Sequence, residues 1–98
     1  SRWVIDNNVA SDGQEGGKIQ LLVATHDAEL QVGLELIDGN AEDEVDVTIA
    51  NGAGSLTTVS GDLTVVGDVV MMPNLPTSDP SVAGQLWNDS NTLKISAG

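Results

Sequence analysis

The chain has 98 residues, 40% of them apolar, and contains no cysteine. These values allow one ordinary domain or two small modules and exclude a disulfide framework or a cysteine-bound metal site. The 15 acidic and 3 basic residues give a formal charge of −12, which argues against binding nucleic acid or anionic membrane through a basic surface. The apolar runs are too short to cross a bilayer.

Residues 1–52 are predicted to form an antiparallel β module. Near its start, Trp3 belongs to a short apolar run, WVI, which a polar, glycine-rich loop follows. We interpret Trp3 as packing against its own fold, and a stacking platform for a sugar or another protein is the alternative. Three further runs, over residues 18–25, 28–37 and 44–50, alternate apolar and polar residues. Period two is typical of half-buried strands.

The connections between these three runs are short and polar, which favours an antiparallel β-meander with one apolar and one solvated face. In the middle run, residues 28–37, four apolar residues alternate with Gln31, Gly33 and Glu35, which are expected on the other face. All four are expected on one face: Leu30, Val32, Leu34 and Leu36. A single sheet leaves this face uncovered, so we expect a sandwich-like second layer from this chain or from partners.

Residues 53–72 carry a repeat. Residues 61–66 and 67–72 read GDLTVV and GDVVMM, one six-residue phrase written twice, and residues 54–60 form a looser first copy. Each unit is predicted to be a short strand and a Gly-Asp corner, because glycine accepts positive φ and aspartate bonds its local backbone. Units of this kind bury their apolar side chains only against neighbouring units.

This repeat predicts a short, intertwined, trimeric β-stalk. The residues expected in its oligomer core are Leu63, Val65, Val69 and Met71. Both faces of the stretch are apolar, so copies of the chain have to cover it, and three are the fewest that enclose an axis. The phrase also suits left-handed β-helix acyltransferases, but those need many coils and this chain shows two clean ones, so we reject that interpretation.

Residues 73–98 are predicted to form a proline-rich linker and a small β-hairpin tip. Three prolines exclude a central strand over residues 73–80. Residues 78–84 fit a single helical turn, with a Ser or Asp cap, proline first and glycine at the exit. Residues 85–87 and 92–96 are predicted strands, turned by residues 88–91. Trp87 is expected to anchor the tip and to join the oligomer core.

The tip resembles a known family. Residues 75–89, LPTSDPSVAGQLWND, followed by residues 92–96, TLKIS, look like the closing cassette of many tailed-bacteriophage fibre and other virion structural proteins, especially those of marine phages and cyanophages. Residues 38–49, DGNAEDEVDVTI, and the phrase GDLTV are similar to the shafts of such fibres. The resemblance implies a homotrimer with intertwined β-strands, located on the virion, that binds host surfaces.

Few residues point to chemistry. His26 is expected in an exposed turn, and the run Glu42-Asp43-Glu44 offers carboxylates whose side chains alternate in direction, which disfavours glycan hydrolysis by paired acids. A calcium loop is the one metal hypothesis, since oxygen ligands alternate as such loops require. Its residues are Asp38, Asn40, Glu42 and Glu44. The sixth and twelfth positions lack the expected glycine and glutamate, so a polar turn is favoured.

The sequence therefore predicts a non-enzymatic virion protein with no catalytic residues and no cofactor beyond that calcium hypothesis. The first interpretation is a trimeric tail-fibre or adhesin module that contacts a host-cell glycan or protein. The alternative is a capsid or tail decoration protein that clamps other virion proteins and stabilises the particle. Neither interpretation includes nucleic-acid binding or membrane insertion.

Overall fold

The computed structural model describes residues 2–9 and 16–98, and over these residues the fold is all-β, as predicted. The strands are β1 (Arg2–Val9), β2 (Gly16–Ala24), β3 (Leu30–Asp38), β4 (Val45–Ile49), β5 (Leu86–Asp89) and β6 (Thr92–Ile95). The chain divides into two compact units, Ser1–Gly61 and Asp62–Gly98. The described residues include no helix that could cross a membrane.

The first unit is a four-stranded antiparallel sheet in the order β1-β2-β3-β4. The predicted meander is therefore confirmed, because each short connection joins neighbouring strands. β1 extends well beyond the apolar run WVI, and its backbone pairs with β2 from Arg2 opposite Leu22 to Val9 opposite Gly16. The side chain of Trp3 and the loop predicted after β1, residues 10–15, lie outside the described part of the chain.

The register of β2, β3 and β4 separates two faces. Residues directly opposite each other across an antiparallel pair share a face. One face carries six apolar side chains in facing pairs, and we call these six the apolar face: Ile19, Leu36, Val47, Leu21, Leu34 and Ile49. Asp38 and Val45, opposite each other at the end of β3 and the start of β4, lie on the same side of the sheet. On the other face, the polar face, Gln20 donates a hydrogen bond to Glu35 at 2.5 Å.

The expected alternation along β3 is wrong in one respect. Leu21 pairs with Leu34, but the next residue of β2, Leu22, pairs with Val32, so Gly33 is an extra residue in β3. This β-bulge shifts the parity, because two residues of one strand then oppose one of its partner. Val32 consequently shares a face with Leu22 and not with Leu34. Periodicity alone cannot reveal such an insertion.

The turns between strands are closed by local hydrogen bonds. Between β2 and β3, the backbone N–H of Ala28 donates to the carbonyl of Thr25 at 2.8 Å, and the Thr25 hydroxyl donates to Asp27 at 3.1 Å. Between β3 and β4, the Gly39 N–H donates to the Glu44 carbonyl at 3.0 Å. His26 is exposed in the first of these turns, as predicted.

In the described part of the first unit, this one sheet is the only layer. Leu22 is the single apolar residue among those described that is buried, at 7% exposure. The six side chains of the apolar face are half-buried or exposed. The sandwich-like second layer expected from the sequence is thus not supplied by the described residues of this unit.

The second unit contains the predicted hairpin, formed by β5 and β6. Its turn is tighter than predicted, since Asn88 and Asp89 belong to β5 and only Ser90 and Asn91 form the loop. Both loop residues have positive φ, 51° and 71°, which is the conformation of a two-residue type I′ turn.

The helical turn predicted over residues 78–84 is wrong. Ser81 has φ of 58°, outside the right-handed helical region, and its N–H donates to Asp79 Oδ1 at 2.9 Å. The chain then makes a β-turn in which the Gln85 N–H donates to the Val82 carbonyl at 3.0 Å, with Gly84 at φ 87°. Aspartate and glycine act as turn formers here, because the local side-chain bond competes with a helix.

The glycine of the β3–β4 turn gives the first testable prediction. A Cβ added at Gly39 would lie 2.6 Å from the Cβ of Glu44, so Gly39→Ala should force this turn to shift and cost about 1–3 kcal/mol of unfolding free energy. The control is Gly33→Ala, where the nearest atom to an added Cβ is the Leu21 carbonyl oxygen at 3.8 Å. Urea denaturation of both variants checks this, and equal stability would contradict it.

Candidate functional site

The candidate site consists of exposed side chains of the second unit, and its first part is the apolar stretch 62–72. Among the residues predicted for the oligomer core, exposure ranges from 52% for Val65 to 76% for Met71, with Leu63 and Val69 between them. Val66, at an even-numbered position, is 95% exposed. Large apolar side chains at both odd- and even-numbered positions are thus exposed, because the described part of the chain does not pack over them.

The peptide groups of this stretch also lack hydrogen-bond partners among the described residues. No peptide N–H or carbonyl of residues 62–72 forms a hydrogen bond with another described residue. Peptide groups that are later shielded from water must be paired, because an unpaired buried group costs free energy comparable to a lost hydrogen bond. The stretch therefore offers unpaired backbone groups and apolar side chains together, which is what an incoming strand requires.

The corners of the repeat are present. The chain bends at Gly61 and at Gly67–Asp68, six residues apart in agreement with the repeated phrase. Neither glycine has positive φ, and an added Cβ at either would meet open space. The expected reason for glycine, a left-handed conformation, is thus wrong at these corners. No steric or conformational need within the described single chain explains their presence.

The second part of the site is the tip. Trp87 is opposite Lys94 in the hairpin, is half-buried, and has the Lys94 ammonium 5.6 Å from its ring centroid. Lys94 also pairs with Asp89 at 2.5 Å, in an exposed position where an ion pair contributes little. The opposite face carries Leu93 and Ile95, both exposed. Trp87 consequently packs with a cation and does not share a face with these two.

A polar network holds the tip together, and sequence reasoning missed it. Ser96 is buried, at 3% exposure, and its hydroxyl donates to Asp79 Oδ1 at 2.6 Å. Its backbone extends the hairpin, donating to Gln85 and accepting from Gly84 at 2.8 and 2.9 Å. No sequence signal connects Ser96 with Asp79, since 17 positions separate them and only the fold brings them together.

The calcium hypothesis finds no support in the geometry. Within the described residues, no three acidic or histidine side chains lie close enough to hold a metal. The Asp38 carboxylate is turned toward Gly16, where an added Cβ would lie 2.5 Å from it, whereas Glu44 lies across Gly39. The Asp38 carboxylate therefore lies beside β2 and the Glu44 side chain beside the β3–β4 turn, and Asn40 and Glu42 are exposed in the loop between them.

One open cleft occurs in the first unit, with a volume of about 500 Å³. It lies where β2, β3 and β4 meet residues 50–57. Its lining residues are Val23, Thr25, Gln31, Val32, Gly33, Ile49, Ala50, Asn51, Ser55, Leu56 and Thr57. None of them carries an acid, a base or a thiol, so the cleft lacks the titratable groups that acid–base or nucleophilic catalysis uses.

Comparison of this chain with protein-family models, with curated proteins and with solved structures finds no match. The arrangement of its own residues, together with the resemblance of the tip sequence, therefore carries the functional argument.

The Ser96–Asp79 contact predicts pH dependence. The hydrogen bond from Ser96, and then that from the Ser81 N–H, lower the pKa of Asp79, against a smaller opposing effect of desolvation. A carboxylate with a depressed folded pKa stabilises the fold above its unfolded pKa, about 3.9, and loses that effect as pH falls through the folded pKa. The melting temperature of the second unit should therefore drop below about pH 4, and Asp79→Asn should weaken the drop.

An NMR titration of the Asp79 carboxyl provides the direct measurement. Ser96→Ala should raise the pKa of Asp79, because it removes the strongest hydrogen bond to the carboxylate. Ser78→Ala is the matched control, since this neighbouring serine does not bond to Asp79 in the described structure. An Asp79 pKa that is the same in wild type and Ser96→Ala would refute the contact.

Proposed function

We propose that this chain is a non-enzymatic structural module of a phage virion, a homotrimeric tail-fibre or adhesin module that contacts the host surface. The observation that carries the proposal is the stretch 62–72, which combines exposed apolar side chains on both parities with unpaired peptide groups. Such a stretch is suited to assembly between chains, because partners can cover both its faces and its edges.

The total exposed surface supports assembly. Within each unit, several large apolar side chains are more than half exposed: Val45, Val47 and Ile49 in the first unit, and Leu63, Val65, Val66 and Val69 in the second. A chain in contact with copies of itself would remove such area from water and gain the corresponding hydrophobic stabilisation.

Three copies are the proposed number. Cyclic symmetry closes the assembly without leaving free edges, and three is the smallest number of chains that can surround an axis with short strands. In this arrangement Leu63, Val65, Val69 and Met71 face the axis. Asp62 and Asp68, both exposed, remain outside at the corners, where their charges stay hydrated. The glycines beside them allow neighbouring backbones to approach closely.

The host-contacting role and the virion location are supported by the resemblance of residues 75–96 to fibre closing cassettes. The proposed partners are other virion proteins and a host-cell glycan or protein. The tip suits a terminal position, because hydrogen bonds through Ser96 and from the Asn88 N–H to the Pro76 carbonyl, at 2.8 Å, fasten the linker to the hairpin. Because these hydrogen bonds order the tip before binding, little conformational entropy would be lost when it binds a receptor.

Location on the particle tests the fibre role. Electron micrographs of intact virions, labelled with gold-conjugated antibody against this chain, should show gold on projecting tail fibres. Gold spread over the capsid lattice would refute the fibre role and favour a decoration protein that clamps the particle. Virions without label on either structure would refute both.

The trimer gives a second test. Val65→Asp should abolish the trimer, because it would place three unpaired carboxylates near one axis. Ser60→Asp is the matched control, since it adds the same charge at an exposed position outside the stretch 62–72. Light scattering coupled to size-exclusion chromatography should give a threefold mass for wild type and for the control. A wild-type protein that is folded and monomeric at micromolar concentration would contradict the proposal.

A further inference from the structure

The outer edge of β4 offers unpaired peptide groups, since β3 is its one neighbour among the described strands. The Ala50 N–H donates to the Gly33 carbonyl at 2.8 Å. The Glu44 carbonyl accepts from the Gly39 N–H at 3.0 Å, so the even-numbered residues of this segment bond to β3. Because bonded and non-bonded pairs alternate along an antiparallel ladder, the peptide groups of the odd-numbered residues point away from β3. These residues, with side chains 54% to 63% exposed, are Val45, Val47 and Ile49.

The two edges of this sheet differ in how they are protected. At the other edge, β1 contains a bulge between Asn7 and Val9, and a bulge hinders pairing with an incoming strand. β4 pairs with β3 residue for residue from Val45 to Ile49. It also contains neither proline nor lysine, which commonly block an edge. β4 therefore has the regular backbone that a further strand requires.

Negative charge surrounds the start of β4. Residues 42–46 contain four exposed acids, Glu42, Asp43, Glu44 and Asp46, and none of them forms an ion pair with a described residue. Asp38, opposite Val45, lies at the same end of the sheet. On the polar face, Lys18 is in the same row as Asp46 but two strands away. A strand added at this edge therefore meets several carboxylates.

We propose that the edge of β4 binds an extended segment of a partner protein in which basic and apolar residues alternate, added antiparallel as a further strand. Opposite residues of an antiparallel pair share a face. The apolar residues of the segment would lie beside Val45, Val47 and Ile49, and its basic residues beside Asp46 and Thr48. Main-chain hydrogen bonds give such a contact affinity, and the alternating side chains give it specificity. This inference concerns the first unit and goes beyond the proposed stalk.

Charge selects this partner over a copy of the chain. β4 of a copy carries Asp46, and the stretch 62–72 carries Asp62 and Asp68 at even-numbered positions. If the odd-numbered apolar residues of that stretch lay beside Val47, both aspartates would lie on the polar face with Asp46. Like charges on neighbouring strands are destabilising, whereas lysine or arginine at the same positions is attracted.

Synthetic peptides provide the test. The probe is acetyl-Lys-Val-Lys-Val-Lys-Val-Lys-amide, and the matched control has glutamate in place of every lysine. Titration calorimetry with the full chain should show that the lysine peptide binds at least about 10-fold more tightly than the glutamate peptide. Equal affinities, or no binding of the lysine peptide, would overturn the proposal.

N-methylated peptides distinguish strand addition from general attraction between opposite charges. In the proposed pairing the peptide groups of the valines face β4 and those of the lysines face away, because the valines lie opposite the odd-numbered residues of β4. Methylation of two valine nitrogens should therefore abolish binding, and methylation of the two central lysine nitrogens should leave it unchanged. Equal binding of both methylated peptides would mean that charge alone attracts them, and would overturn strand addition.

Val47→Pro makes the same test on the protein. The N–H at position 47 points away from β3, so proline removes a donor to the added strand and none to the sheet. The lysine peptide should bind Val47→Ala, which keeps this N–H, and should not bind Val47→Pro. Circular dichroism checks that both variants keep their sheet, and equal binding by the two folded variants would contradict the proposal. Val65→Asp should bind the peptide as wild type does, so the result does not depend on the stalk.

Discussion

The row formed by Ile19, Leu36 and Val47 runs across three strands of a sheet that is the one sheet in the described part of the first unit. Most domains cover such a row with a second layer of their own, because apolar area left in water forgoes roughly 25 cal/mol for each Å². Here the four strands pair in one sheet, but several of its apolar side chains remain exposed. The exposed apolar stretch 62–72 of the second unit poses the same requirement for a covering surface.

The second unit contains two segments that differ in how they are stabilised. Its hairpin has little apolar core and is held by polar contacts, with Ser96 buried and bonded to Asp79 and to the backbone of Gly84 and Gln85. The preceding stretch, residues 62–72, has neither polar contacts nor packing among the described residues. One unit thus contains a segment held by its own hydrogen bonds and a segment that lacks such contacts with the described residues.

Charge and apolar surface occupy different places in the chain. Most acids described in the first unit lie in turns, such as Asp27 and Asp43, or on the polar face, such as Glu35, whereas Asp38 lies at the end of β3 opposite Val45. Those of the repeat lie at its corners. This separation leaves the six side chains of the apolar face and the apolar side chains of the repeat uncharged, whereas burial of unpaired carboxylates would oppose the proposed assembly.

Much of the first unit could be predicted from the sequence. Alternation within each run identified β2, β3 and β4, and the short connections indicated their antiparallel order, because both properties depend on neighbours in the chain. The bulge at Gly33 could not be predicted, since an inserted residue leaves the pattern of residue types unchanged while moving Val32 to the other face. The expected helical turn failed for a local reason: Asp79 bonds the Ser81 N–H and stabilises a different turn.

By itself, the sequence determined the all-β class, the six-residue repeat with its bends, and the division between apolar and charged segments, because these follow from residue type and spacing. Only the tertiary structure decided that the apolar face lacks a second layer among the described residues, that Trp87 packs under Lys94, and that Ser96 meets Asp79. These features depend on contacts between residues distant in the chain or on which side of a strand a residue lies. Strand register and turn geometry set both, and they become fixed only when the chain folds.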